Sequence, residues 1–192
     1  MLLLAGGHSS RMGRDKALIE IDGKPLIGRV WEAVRGGLGA GVPLWAITPW
    51  PDRYREVLPG CVWIEERYNE GPFAAFLQAL PHIQSEWVLV LACDLPDLDA
   101  GVLGRWARAL ADAPDSALAA LVPCAKGWEP LCGFYRRRCF PSAMQYLAEG
   151  GRSFQGWLER IQIFELSAAN SAMLRNCNTP EDLSEQGERA LS

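Results

Sequence analysis

The sequence predicts an α/β fold of three layers, a mostly parallel central sheet with helices on both faces. Short, continuous apolar runs recur along the chain, as strands buried on both faces require. Between them lie segments whose apolar residues repeat at helical spacing, which implies right-handed βαβ crossovers. The length of 192 residues suits one domain with a sizeable core.

Taken in order, "MLLLA" (1–5) reads as the first strand. Residues 25–35 form a helix with Leu26, Ile27, Val30, Trp31 and Val34 on its apolar face. Pro25 suits its first position, and Gly36-Gly37 suit its end. "VPLWAIT" (42–48) and "CVWIEE" (61–66) are the next strands. Residues 72–80 place Phe73, Phe76, Leu77 and Leu80 on one helical face. The strand "WVLVLAC" (87–93) precedes a helix over 99–111 that presents Leu103, Trp106, Ala107 and Leu110. Strands are predicted at 117–124, 130–136 and 161–167, and helices at 138–149, 153–160 and 180–189. In the last helix Thr179 caps, Pro180 opens the first turn and Asp182 completes a capping box. The chain shows no internal repeat, low-complexity tract or long linker, so 1–192 is read as one domain.

Composition excludes several classes. The net charge is −4, which argues against a broad nucleic-acid or anionic-membrane surface. The apolar runs fall short of the roughly 20 residues that span a bilayer, and the short, uncharged start is not a signal peptide. Cytoplasm is the expected compartment. Six cysteines, Cys61, Cys93, Cys124, Cys132, Cys139 and Cys177, are scattered without a CxxC pair, and only His8 and His82 accompany them. They read as buried, reduced thiols, not as a zinc site or a disulfide framework.

The chemistry concentrates in "LLLAGGHSSRMGRDKAL", residues 2–18. In open α/β sheets, ligands bind beyond the carboxyl ends of strands. There the chain turns from leucines to Gly6 and Gly7, whose backbone N–H groups can approach an anion without a Cβ in the way. Ser9, Ser10, Arg11, Arg14 and Lys16 add hydroxyls and positive charge, a set suited to phosphates. Neither the GxxxxGK[ST] nor the GxGxxG spacing is present.

The order of these residues resembles "LAGGxSxRMGxDKALL", the signature loop of the molybdenum cofactor guanylyltransferases (the MobA family). Three further segments resemble the same family. "IEERYNEGPFAAF" (64–76) is similar to its "ED…GPLAG" segment, with Glu66 at the acidic position and Gly71-Pro72 at the turn. Here Glu66 stands for a commoner Asp and Ala75 for a commoner Gly. "LACDLPDL" (91–98) is similar to "PCDxP", with Ala92 in place of the first proline. "NCNTPEDL" (176–183) is similar to "NxNTPEDL". Asp97 and Asp99 read as turn and helix-cap residues.

The resemblance implies a Rossmann-like nucleotidyltransferase fold, with a nucleotide-binding half over about 1–100 and an acceptor-binding half over about 101–192. It implies transfer of GMP from GTP to the terminal phosphate of molybdenum-molybdopterin, with Mg²⁺ as cofactor. Leu4, Ala5, Gly6, Gly7, Glu66, Gly71 and Pro72 would bind the nucleotide. Arg11 and Lys16 would neutralise phosphate charge, and Asp94 would hold the metal. Asn176 and Asn178 would serve the acceptor. "GWEPLCGFYRRR" (127–138) would lie on the acceptor side, with Trp128 and Tyr135 able to pack on a pterin and Arg136–Arg138 able to meet its phosphate. Molybdenum insertion factors or molybdoenzyme chaperones would be the protein partners. The alternatives are a CTP-using or sugar-phosphate nucleotidyltransferase of the same fold and a non-catalytic nucleotide-binding assembly factor.

Overall fold

A computed structural model describes residues 1–6, 15–68, 70–167 and 171–174. The chain opens with β1 (Leu2–Leu4), all three residues buried. A small hairpin follows, β2 (Glu20–Ile21) paired with β3 (Lys24–Pro25). Its turn places Asp22 and Gly23 at φ of 53° and 73°, the positive values that a two-residue hairpin turn demands. Then come α1 (Leu26–Leu38), β4 (Trp45–Thr48), β5 (Val62–Glu65), α2 (Pro72–Ala79), β6 (Trp87–Ala92) and α3 (Ala100–Ala109). The second half adds β7 (Ala119–Leu121), the hairpin β8 (Pro123–Cys124) and β9 (Gly127–Trp128), then β10 (Cys132–Arg136), α4 (Phe140–Ala148), α5 (Phe154–Leu158) and β11 (Ile163–Glu165).

Seven strands form the central sheet in the order β11-β7-β10-β6-β1-β4-β5. Its pairs are parallel except at β10, which runs antiparallel to both β6 and β7. One face packs on α1 and α3 through Ile27, Val30, Val34, Val102, Leu103 and Trp106. The other packs on α2, α4 and α5, and its core is aromatic: Phe73, Phe76, Tyr135, Phe154 and Trp157 stand together, with the Phe73–Phe154 and Phe76–Tyr135 centroids 5.1 Å apart. The three layers predicted from the sequence are therefore present.

Two of the predicted boundaries move for reasons visible in the packing. The first helix runs through Gly36 and Gly37 and stops at Gly39, whose φ is 93°. The paired glycines serve a helix crossing instead. A Cβ on Gly37 would lie 2.3 Å from the Ala100 carbonyl oxygen, and one on Gly104 would lie 2.9 Å from that of Gly37. The predicted strand 117–124 divides into β7 and β8, because residues from Pro123 leave the sheet for the hairpin. The expectation of buried thiols holds at Cys132 and Cys139, whereas Cys124, on that hairpin, is exposed and Cys61 and Cys93 are half-buried. Cys177 and the predicted helix 180–189 lie outside the described residues. Among the described residues, no helix is long and apolar enough to cross a membrane.

Candidate active site

Four parallel strands, β5, β4, β1 and β6, end at one edge of the sheet, and β10 begins there. Their registers, carried past the last paired residues, bring Glu66, Pro49, Gly6, Asp94 and Glu129 to that edge. This is the edge where ligands bind in open α/β sheets. Ala5 is tied to β4 by its N–H on the Ile47 carbonyl at 3.0 Å, and Glu66 by its N–H on the Thr48 carbonyl at 2.9 Å.

At the centre, Lys16 Nζ donates to Asp94 Oδ2 at 2.9 Å. The two side chains are 15% and 18% exposed, so the pair is shielded yet open on one side. The other oxygen, Asp94 Oδ1, is buried with no hydrogen-bond partner among the described residues. A buried carboxylate oxygen in that state costs free energy and is suited to receive a cation. Ala92, where the family more often has proline, donates its N–H to the Leu131 carbonyl at 2.9 Å. Proline has no such donor, so alanine extends the β6–β10 ladder one step closer to Asp94.

Gly6 is exposed and lies against Glu66: a Cβ there would stand 2.2 Å from Glu66 Oε2 and 3.3 Å from Pro49 Cδ. A side chain at this position would push the Glu66 carboxylate aside from the backbone. Burial pushes the Glu66 carboxyl up from the usual carboxylate range. Gln78, from α2, fixes the segment that carries Glu66. It donates to the Glu65 carbonyl at 2.7 Å and accepts the Arg67 N–H at 3.0 Å. Gly71 takes φ 92° at the start of α2 and Pro72 occupies its first turn, as the Gly-Pro turn implied. The methyl of Ala75 joins the aromatic core.

Two neighbours, Asp15 and Glu129, carry no role in the sequence pattern, and Cys93 adjoins them. Asp15 accepts the Ala17 N–H through Oδ1 at 3.2 Å and the Tyr54 hydroxyl through Oδ2 at 2.6 Å. Glu129 is half-buried. Burial raises its carboxyl, the Leu131 N–H counteracts, and the charge of Asp94 raises it further. The Cys93 thiol is pushed up to about 12, first by burial and then by Asp94 and Asp15, so it stays protonated at neutral pH and is a poor nucleophile. Glu129 reaches the edge because β10 runs antiparallel to β6, a direction the sequence does not carry; the Tyr54–Asp15 pair spans 39 residues and leaves no local pattern.

Two of the expected acceptor contacts change. Tyr135 is fully buried and its hydroxyl donates to the Pro130 carbonyl at 2.8 Å, so it belongs to the core and is not free to stack on a ligand. Arg136 sits opposite Trp87, at the start of β6, because β10 runs antiparallel. Arg136–Arg138 therefore lie at the far edge of the sheet from Asp94. Trp128 is half-buried, and its backbone N–H and carbonyl are both held by the Gln155 side chain. Gly7, Arg11, Asn176 and Asn178 lie outside the described residues. Among the described residues no cluster of three or more His, Cys, Asp or Glu is poised for a metal; Asp94 supplies one free carboxylate oxygen.

The MobA-like NTP transferase domain family matches residues 1–162. A relative from Nostoc sp., named "Probable molybdenum cofactor guanylyltransferase", is 50% identical over 97% of this chain and 90% of its own length. A "Molybdenum cofactor guanylyltransferase" from Pseudomonas putida is 36% identical, covering 94% and 93% of the two chains. The crystal structure of molybdopterin-guanine dinucleotide biosynthesis protein A from Archaeoglobus fulgidus superposes with a TM-score of 0.76 at 21% identity, over 99% of this chain and 97% of that one.

Proposed function

The chain belongs to the MobA-like NTP transferase family, and we propose that it transfers GMP from GTP to the terminal phosphate of molybdenum-molybdopterin, forming the guanine dinucleotide cofactor and releasing pyrophosphate. The observation that carries this reading is the shielded Lys16–Asp94 pair with its second carboxylate oxygen left over, at the sheet edge where Gly6 brings bare backbone to the surface. Relatives that share half of its residues over nearly the whole length carry the guanylyltransferase name.

In this reaction a phosphate oxygen of the acceptor attacks the α-phosphorus of GTP, a new P–O–P link forms, and the bond to the β-phosphate oxygen breaks. No protein nucleophile is needed, in keeping with the protonated Cys93. The protein's task is positioning and neutralisation of charge. The backbone of Leu4, Ala5 and Gly6, continuing to Gly7, holds the nucleotide. Glu66, whose carboxyl is pressed against Gly6, and the Gly71-Pro72 turn flank the nucleoside. Lys16 meets the phosphates. Asp94 Oδ1 fits a Mg²⁺ ion, which when bound would neutralise phosphate oxygens. Arg11 for the phosphates and Asn176 and Asn178 for the acceptor enter through the family resemblance. The setting is cytoplasmic, with a molybdenum insertion factor or a molybdoenzyme chaperone as recipient of the product.

Thermal melting with Mg²⁺ and GTP, CTP, UTP or ATP tests the reading, since a ligand that binds only the folded chain raises its melting temperature. Selective stabilisation by GTP, weakened in Asp94→Asn, is expected. Selectivity for CTP or UTP would move the chain to a sister activity of the fold, and indifference to all four nucleotides would overturn it.

A further inference from the structure

Lys16 follows the glycine-, serine- and arginine-rich stretch 6–14 in sequence, and its neighbour Asp15 fixes the backbone from which it projects. One of its carboxylate oxygens caps the short 3-10 turn Lys16–Leu18 through the Ala17 N–H. The other accepts the Tyr54 hydroxyl at 2.6 Å and has Arg53 Nη1 at 3.6 Å.

Tyr54 is itself held on every side. It is 1% exposed and stacks on Trp63 of β5, with centroids 5.9 Å apart and planes at 16°. Its backbone carbonyl accepts the N–H groups of Val57 and Leu58. Arg53 lies over the Trp50 ring at 4.4 Å. The β4–β5 segment thus presents one rigid hydroxyl to the residue beside Lys16. A phenol buried this deeply keeps its proton, since burial, then the Asp15 contact, raise it well above its usual range.

We propose that Tyr54 is a positioning residue for guanylyl transfer, holding Asp15 so that the Lys16 ammonium is aimed at the phosphates from its station on Asp94. The inference rests on the transferase reading above. It assigns the β4–β5 segment a function that its sequence, "PWPDRYREVLPG" (49–60), does not announce.

The test is a double-mutant cycle of Tyr54→Phe with Lys16→Ala, read as pyrophosphate release from GTP with molybdenum-loaded molybdopterin. Phenylalanine keeps the ring on Trp63 and removes the hydroxyl alone. In the wild-type background Tyr54→Phe should lower kcat about tenfold, the scale of a small misplacement of a catalytic group, and leave the KM for GTP within about twofold. In the Lys16→Ala background the same change should cost less than about twofold, because residues that act through one another are not additive. Equal losses in both backgrounds, or no loss in the first, would overturn the proposal. A Tyr54→Phe protein that melts several degrees lower with an unchanged kcat would make Tyr54 structural, also against it. A wild-type protein that releases no pyrophosphate would be a different failure, that of the transferase reading, and this inference would fall with it.

Discussion

Strand β6 carries a cation–carboxylate cluster at each end, and the two are built for opposite purposes. At its start, Arg136 of β10 is 6% exposed and pairs with Glu86 at 3.0 Å and Asp115 at 3.5 Å. At its finish, Lys16 pairs with Asp94. Each cluster holds one of the buried side-chain polar atoms that lack a hydrogen-bond partner among the described residues, Arg136 Nε and Asp94 Oδ1. The compensation differs. The Arg136 guanidinium lies 4.6 Å from the Trp87 ring centroid, and the ring face offsets the missing acceptor. Its carboxylate partners stand in solvent, with Glu86 72% and Asp115 99% exposed. Among the described residues no ring completes Asp94, and its spare oxygen fits the ligand role proposed above. A buried cation finished with an aromatic face reads as structure; a half-buried carboxylate left unfinished fits the proposed site.

The largest expected effect tests the unfinished end. Asp94→Asn should lower turnover about a thousandfold, the cost of removing a central electrostatic contact in a transfer reaction. Its melting temperature should stay within about 3 °C, the shift that about 1 kcal/mol produces in a chain of this length. Turnover near that of wild type would break the comparison, because the two ends of β6 would then be equally inert. Next in size is Lys16→Ala, which should cost about a hundredfold in kcat/KM. An unchanged kcat/KM would remove Lys16 from the phosphates.

The reverse pattern is expected at the other end. Arg136→Met removes the stacked cation while keeping an apolar stem on Trp87. Its loss should destabilise by about 2 kcal/mol, or roughly 6 °C in melting temperature, with kcat and KM unchanged. A loss of activity without a loss of stability would return Arg136 to the acceptor side where the sequence pointed.

That misplacement shows what a sequence can and cannot tell. The strand runs were legible because strands buried on both faces must be apolar throughout, as Leu2–Leu4 and Trp87–Ala92 are. Asp94 was legible because an acid that ends such a run falls on the ligand edge. An apolar run carries no direction, however, and nothing in "CGFYR" states that β10 runs backwards. Read as parallel, it would carry Arg136 toward Asp94; being antiparallel, it carries Arg136 away and brings Glu129 near. Gly36-Gly37 failed as a stop signal for a related reason. A glycine pair signals a helix end by conformation or a helix crossing by size, and only Ala100 and Gly104 across the contact decide which. Tyr54 and Asp15 meet through tertiary structure alone.

The smallest expected effect sharpens the comparison most. Glu86→Gln removes the carboxylate nearest to Arg136 in space. If ion pairing held that end together, the change would cost as much as removing Arg136. Glu86 is 72% exposed, however, so water and salt screen the pair, and exposed pairs contribute less than about 1 kcal/mol. Asp115 stays within 3.5 Å of the same nitrogen, and the Ala113 carbonyl still accepts from Nη2 at 3.4 Å. The expected change is therefore below about 0.5 kcal/mol in a urea melt, with full activity. A cost near that of Arg136→Met would mean that the carboxylate, not the ring, completes the buried cation. The distinction between an end finished by Trp87 and an end left open at Asp94 would then rest on charge alone.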